Sequence, residues 1–346
     1  MPNIDREQLT FILDSALLAP SADNRHRIRF HVDGDTISIL CTEKLQSQGG
    51  YKRVLTLLSL GAVVENLSIA ASRFNIVTQA SLSDSNQAEL VIQIRLLPDQ
   101  KPANPLWETI PLRHTNRKVR FRGPKLSHTE LSELNASISA YPDTQLVWLD
   151  EPEQRNQALH LMRRAETERF RNRILHDELF SAIRFDVGWS TTCEIGLPPG
   201  ALAVELPMRP LFAMLRRWPA MQIAQLFGAH YILGFRACDL PCRLAPNLGI
   251  LTVKNASAQT VFNAGRSFQR LWLTLTKQGR VLQPLPASAL YALDGAASEG
   301  VSTKLQAELK LTWNLILHGD TPVMIFRTGY ATPSHINTSR QAIDYY

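Results

Sequence analysis

The sequence predicts an α+β fold of the layered α/β/α kind, a mixed sheet flanked by helices, with two related halves in one chain. Three observations predict it. Helical periodicity and short apolar strand-like runs alternate along the whole length, which no all-α or all-β chain would do. Two long segments, 54–76 and 257–279, are apolar nearly all round, as helices at the centre of a core are. The two segments also repeat one another: setting Gly61 against Gly265 aligns Glu65 with Gln269, Leu67 with Leu271, Ser72 with Thr276 and Gln79 with Gln283.

In chain order, residues 4–18 place Ile4, Leu9, Ile12, Leu13, Ala16 and Leu17 on one face behind the acidic Asp5 and Glu7, a helix that stops at Pro20. Ala19-Pro20-Ser21-Ala22-Asp23-Asn24 is a loop of small, hydrogen-bonding residues, and 27–41 reads as a β-hairpin turning at Asp33-Gly34. After the first long helix, 89–97 reads as a strand and 98–105 as a breaker-rich linker. That linker divides a first half, residues 1–104, from a second, 105–346. Ser127 and Glu130 form the capping box of a helix over 127–139. Beyond it we read a strand at 146–148, a charged helix at 151–175, a helix at 177–185 and an irregular stretch at 188–207. A helix at 210–227, a strand at 230–235, a helix at 302–317 and a strand at 322–326 complete the reading. On the charged helix, Arg163, Arg164, Arg169, Arg171 and Arg173 alternate with Glu166 and Glu168. This is the pattern of an exposed, salt-bridged face, and no chemistry is assigned to it.

With 346 residues, 45% of them hydrophobic and 20% charged, the chain is long enough for one large domain or two joined ones, and it is too apolar for a disordered class. A net charge of +6 admits an anionic ligand without indicating nucleic acid. Cys41, Cys193, Cys238 and Cys242 are too scattered for a disulfide scaffold or a zinc site and read as free thiols. Acidic residues stand where a signal peptide is apolar, and no run reaches the length expected of a membrane span. The expectation is a cytoplasmic monomer of two related halves, open to further association, with a small-molecule substrate and no metal, nucleic-acid or membrane partner.

The stretch richest in chemistry runs from Pro105 to Arg122. Arg113, Arg117, Lys118, Arg120 and Arg122 crowd one turn-like segment, with His114 and the Thr115 hydroxyl between the first two. Guanidinium forks match phosphate oxygens bidentately, and a neighbouring hydroxyl completes such a shell. Leu106, Trp107, Ile110 and Leu112 before the cluster, and Val119 and Phe121 after it, tie it to a core. No Ser/His/Asp arrangement, paired carboxylates or metal-ligand spacing stands out, so hydrolytic chemistry lacks support.

Several of these pieces, in this order, resemble the flavin-dependent nitroreductases, and among them the fused forms whose single chain imitates a homodimer. Ala19-Pro20-Ser21 through Asn24 is similar to the family loop whose Ser and Asn reach the flavin ring. Residues 61–71 and 264–285 resemble two copies of its central helix. Arg113-His114-Thr115 through Arg117 resembles the element that holds the FMN phosphate and ribityl chain, and Arg340 falls where the family places a further phosphate ligand. Gly196, in Ile195-Gly196-Leu197-Pro198-Pro199, matches a glycine that offers its backbone N–H to the ring.

The resemblance implies one FMN per chain, built across the two halves. Ser21, Asn24, Arg113, His114, Thr115, Arg117, Gly196 and Arg340 would bind it, and no side chain would be catalytic, because hydride passes through flavin N5. NAD(P)H is the implied donor and a nitroaromatic or quinone-like molecule the implied acceptor. Two departures stand out. The family's Asn-x-Gln-Pro-Trp is here Asn24-Arg25-His26-Arg27-Ile28, and its Asp before the glycine is Ile195. They bring in an alternative, a non-catalytic FMN-binding or flavin-sequestering protein.

Overall fold

A computed structural model describes residues 4–42, 50–83 and 90–345. In chain order the first part runs α1 (Arg6–Leu17), β1 (Ile28–Asp33), β2 (Thr36–Cys41), α2 (Tyr51–Ser72), β3 (Ile76–Ser83) and β4 (Val91–Pro98). It continues with α3 (His128–Ile138) and β5 (Thr144–Trp148), followed by a helical insertion of α4 (Pro152–Arg171), α5 (Arg173–Ser181), α6 (Arg209–Leu215), α7 (Trp218–Leu226), α8 (Ala229–Gly234) and α9 (Leu240–Arg243). The chain then resumes with β6 (Asn247–Val253), α10 (Ala258–Lys277), β7 (Val281–Pro284), α11 (Ala287–Leu290), α12 (Thr303–Ile316) and β8 (Thr321–Gly329).

The strands form two four-stranded antiparallel sheets of the same plan, ordered β1-β2-β4-β3 and β5-β6-β8-β7. Each is two strands, one long helix and two more strands, so α2 and α10 are equivalent. Both half-plans open on a helix with a complete capping box, Asp5 with Gln8 on α1 and Ser127 with Glu130 on α3.

The two long helices lie against each other at the middle of the molecule, and their glycines set the distance. A Cβ on Gly61 would stand 2.1 Å from the Phe262 carbonyl oxygen, and one on Gly265 would stand 2.3 Å from that of Leu58. Each glycine meets the carbonyl three residues before the other, which is a local two-fold relation. Beside this contact Glu65, fully buried, accepts from Arg266 Nε at 3.0 Å and Tyr141 Oη at 2.6 Å and pairs with Arg270. Burial alone would raise its pKa; Arg270, Arg266 and Tyr141 outweigh burial and hold it below the ordinary value. Asn66 accepts from Gln269 at 2.6 Å across the same seam. The start of α2 is closed from another part of the chain, where the Glu299 carboxylate accepts from the Tyr51 amide at 2.6 Å.

Several readings differ from the structure. Residues 230–234 belong to helix α8 and Phe235 to the helical turn after it, because a short apolar run is ambiguous between strand and helix, and here a left-handed Gly228 (φ +77°) starts a helical turn. Strands β6, buried along its whole length, and β3 escaped the reading, the latter because it begins four residues after α2 ends. Glu89, read as a strand start, lies outside the described residues. On α4 the pairs Arg169–Glu166 and Arg171–Glu168 form, but both glutamates are buried, so that acidic face points inward rather than to solvent. Among the described residues one helix, α2, is long and apolar enough to cross a membrane, and most of it is buried within the protein.

Gly61→Ala measures the helix contact. Helix propensity favours Ala by about 1 kcal/mol, whereas a Cβ against backbone cannot be relieved by a rotamer change, and overpacking costs about 1–3 kcal/mol or more. The variant should therefore be less stable in urea unfolding; equal or greater stability would mean that the helices do not meet at this residue.

Candidate functional site

The loop after α1 owes its shape to residue types. Asp23 and Asn24 both adopt left-handed backbone (φ +56° and +55°), a conformation that Asp and Asn tolerate better than other side chains. The turn buries Asn24, whose Nδ2 donates to the carbonyls of Glu194 at 3.1 Å and Ser339 at 3.3 Å, while its Oδ1 accepts from Arg340. Arg340 also donates to the carbonyls of Leu17 (2.9 Å) and Ala19 (3.0 Å). Asn24 and Arg340 thus brace three distant segments at one point.

The basic segment is anchored as firmly. Thr115 bridges to Leu282 of β7, the Asn116 amide donates to the Leu282 carbonyl at 3.1 Å, and the buried Asn116 side chain donates to the Thr332 carbonyl at 3.0 Å. Beneath it Arg327, fully buried on β8, donates to the carbonyls of Val119 (2.8 Å), Pro241 (2.9 Å) and Lys118 and to Gln283 Oε1 (2.8 Å). Its guanidinium lies 3.9 Å from the Phe121 ring centroid, and burial lowers its pKa to about 10. Sequence reasoning did not assign Arg327 a site role. Its partners are mostly carbonyls, which leave no trace in residue types.

Seven of the eight expected residues converge. Ser21, Asn24, Arg113, His114, Thr115, Arg117 and Arg340 line one small chamber of about 150 Å³. Of the five clustered cations only Arg113 and Arg117 reach it, while Arg120 and Arg122 point to solvent. Gly196 lines the adjoining cavity of about 950 Å³, whose walls include residues 22–28 apart from Asn24, one face of α2, and Glu178 of α5. Asn24 bonds to Glu194 at the seam between the two spaces, beside Ile195 and Gly196. Gly196 is required there: φ is +83°, and a Cβ would lie 2.7 Å from Arg184 Cγ and 3.0 Å from the Ala182 carbonyl oxygen.

The chamber is electropositive and incompletely satisfied. Arg113 is buried with its guanidinium 4.5 Å from the Trp272 ring centroid, and its single hydrogen bond among the described residues goes from Nη2 to the Leu18 carbonyl at 2.9 Å. Burial first, and Arg340 second, lower its pKa to about 9. Burial likewise lowers Arg117 to about 10, partly offset by Asp23. Among the described residues neither guanidinium has a carboxylate within ion-pairing distance. Among the described residues Ser21 Oγ, Arg113 Nε and His114 Nε2 are buried without a hydrogen-bond partner. His114 Nδ1 donates to the Leu112 carbonyl at 2.9 Å, which leaves Nε2 as the free nitrogen. A buried cation and a half-buried one, neither paired with an acid among the described residues, beside polar atoms without partners describe a space completed by an anion. At roughly five water volumes the chamber accommodates a phosphate-sized group, whereas the larger cavity falls in the range of about 300–1,000 Å³ usual for a drug-sized ligand.

The acids Asp23, Glu178 and Glu299 line the larger cavity among the bases Arg25, Arg27, Lys52 and Arg184. Tyr51 Oη donates to Glu178 at 2.8 Å. Burial raises the pKa of Asp23, partly countered by Arg169, and burial raises that of Glu299 against the amides of Lys52 and Tyr51.

No protein-family model matches the chain, and neither does any curated protein. Solved structures similar to it include the FMN-dependent nitroreductase NfnB from Mycobacterium smegmatis in complex with NADPH (15% identity, 65% of this chain and 86% of that one, TM-score 0.36). A nitroreductase with bound FMN from Bacteroides fragilis gives 10% identity, 66% and 89% coverage and a TM-score of 0.36. Oxidised iodotyrosine deiodinase bound to FMN and 3-iodo-L-tyrosine gives 13%, 68% and 95%, and 0.36. At these scores the likenesses carry no argument about the site.

His26, in the wall of the larger cavity, is buried. Its Nε2 lies 3.0 Å from the Leu17 carbonyl and 3.1 Å from that of Ala19 and therefore carries the proton. Burial, reinforced by Arg340 and opposed by those two carbonyls, lowers its pKa from 6.5 to about 3. A folded pKa below the unfolded one gives stability that is complete above pH 6.5 and declines as pH falls toward 3, at up to about 1.4 kcal/mol per pH unit. His26→Gln, whose amide can donate to the same carbonyls, should lose less stability than wild type between those limits. Parallel stability–pH curves would show that His26 titrates normally.

Proposed function

We propose that the chain is an FMN-dependent oxidoreductase of nitroreductase type, which takes hydride from NAD(P)H and passes electrons to a small nitroaromatic or quinone-like acceptor. One observation carries this reading: a buried guanidinium, Arg113, a half-buried one, Arg117, and three polar atoms without a partner among the described residues share a phosphate-sized chamber that adjoins a cavity large enough for a flavin ring. In this reading a single FMN lies across residues 1–104 and 105–346.

Arg113 Nε, Ser21 Oγ, Thr115 and Arg117 would hold the phosphate, and His114 would line the same space with its Nε2. Arg113 gains most from an anion, because its charge is desolvated and stacked on Trp272 with no acid to balance it. Asn24 and Arg340 would act by fixing the loop that carries Ser21. The Gly196 N–H would face the ring from the larger cavity. Bound there, FMN supplies hydride acceptance and electron transfer, and the protein supplies position and electrostatics.

The flavin-sequestering alternative is favoured by one feature. The Asn24 amide, expected on the ring, is committed to the Glu194 and Ser339 carbonyls. Steady-state NAD(P)H oxidation with a quinone acceptor by the FMN-loaded protein separates the two readings: turnover supports the oxidoreductase, and tight FMN binding without turnover supports sequestration.

The phosphate grip is tested by FMN titration of Arg113→Ala against Arg120→Ala. A charge-assisted contact contributes roughly 1.5–3 kcal/mol, so the first variant should bind about tenfold to a hundredfold more weakly. The second, on the solvent side, should bind like wild type. Equal dissociation constants would remove the chamber as the phosphate site.

A further inference from the structure

The insertion between β5 and β6 presents a surface that the flavin reading leaves unused and that depends on neither cavity. From Leu206 to Cys238 the chain contains no Asp or Glu and four arginines, Arg209, Arg216, Arg217 and Arg236. The flanking acids are neutralised within the fold, Glu205 by Arg236 at 2.6 Å and Asp239 by Arg243.

Inside this run the end of α7 and the start of α8 turn large apolar side chains outward. Leu226 and Phe227 are 83% and 82% exposed, and Ile223, Tyr231 and Ile232 are each more than 60% exposed. Ile223, Leu226 and Phe227 share one helical turn, and Tyr231 and Ile232 lead into Phe235 one turn on, so the six flank the corner at Gly228 as one ridge. The inward side is already provided for: Met221 and Leu215 are buried in a small core with Phe170, Phe180 and Ile183. Soluble surfaces rarely leave contiguous apolar ridges of this kind uncovered.

Charge selects what covers it. Arg216 and Arg217 are exposed at the start of α7. Arg171, its side chain 59% exposed and paired with Glu168 at 3.6 Å, stands near the other end, where Gln225 Nε2 donates to the Phe170 carbonyl at 2.8 Å. Cations that flank an apolar ridge without interrupting it match a surface with an apolar interior and an anionic face. A second copy in two-fold contact would bring the same acid-free, arginine-bearing segment against itself. We propose that the α7–α8 corner docks the protein on an anionic lipid bilayer, with Leu226, Phe227, Tyr231 and Ile232 at the acyl boundary and Arg216 and Arg217 at the headgroups.

Flotation of the full chain with vesicles of phosphatidylcholine mixed with phosphatidylglycerol, and with phosphatidylcholine alone, tests this. Wild type should bind the mixed vesicles, release in high salt, and bind phosphatidylcholine alone far more weakly. Leu226→Ser/Phe227→Ser should bind about tenfold more weakly or worse, and Arg216→Gln/Arg217→Gln about tenfold more weakly as well. All four side chains are exposed, so thermal unfolding of both variants should match wild type. No wild-type binding, equal binding to the two kinds of vesicle, or full binding by Leu226→Ser/Phe227→Ser would overturn the proposal. A dimer in sedimentation velocity that Leu226→Ser/Phe227→Ser dissociates, without vesicle binding, would assign the ridge to a second copy instead.

Discussion

The close approach of α2 and α10 at Gly61 and Gly265 is the constraint on which the rest of the protein depends. Two helices of 22 and 20 residues can bring backbone to backbone only where both lack a Cβ, and here each glycine sits against the other helix's carbonyl. That proximity makes the polar seam beside it workable. Glu65 is buried with two arginines and a tyrosine in reach, and removing a partner from such a set costs about 3–5 kcal/mol, because a buried charge is left unmatched. Glycine contact and ion cluster therefore fix how one sheet-bearing half meets the other.

From that seam the candidate site follows by short physical links. Trp272, on the same helix as Gly265, forms the face on which Arg113 stacks. The strand after that helix holds Thr115 and Asn116 at Leu282, and Arg327 on the next strand gathers the carbonyls of Lys118 and Val119. The opposite wall comes from the loop after α1, held by Asn24 and Arg340 to segments near residues 194 and 339. The chamber is thus built where distant parts of the chain meet, and its positive potential is a consequence of the way the two halves pack.

Much of this was legible in the sequence, for identifiable reasons. The Gly61–Gly265 alignment was readable because a central helix must be apolar on every face, and a shared glycine then stands out. The capping box of α3 and the Asp33-Gly34 hairpin were readable because local chemistry decides them. The convergence of Ser21 with Arg113 was accessible only through resemblance, since nothing in residue spacing joins positions so far apart. The strand reading at 230–235 failed because periodicity over so short an apolar run cannot separate strand from helix. The exposed reading of α4 held for Arg163, Arg164 and Arg171 and failed for Glu166 and Glu168, because alternating charges look the same whether the acids face water or the interior. Arg327 was invisible as an organiser, because a guanidinium aimed mainly at carbonyls has no partner in the pattern of side chains.

The central claim is that the Ser21–Arg113–His114 chamber receives the phosphate of a single FMN, and a crystal structure of the protein grown with FMN tests it most directly. The account requires one flavin per chain, its phosphate oxygens within hydrogen-bond distance of Arg113 Nε and Ser21 Oγ, and its ring in the cavity lined by Gly196. A flavin phosphate bound elsewhere, or a chamber that stays closed around Arg113 at saturating FMN, would contradict it.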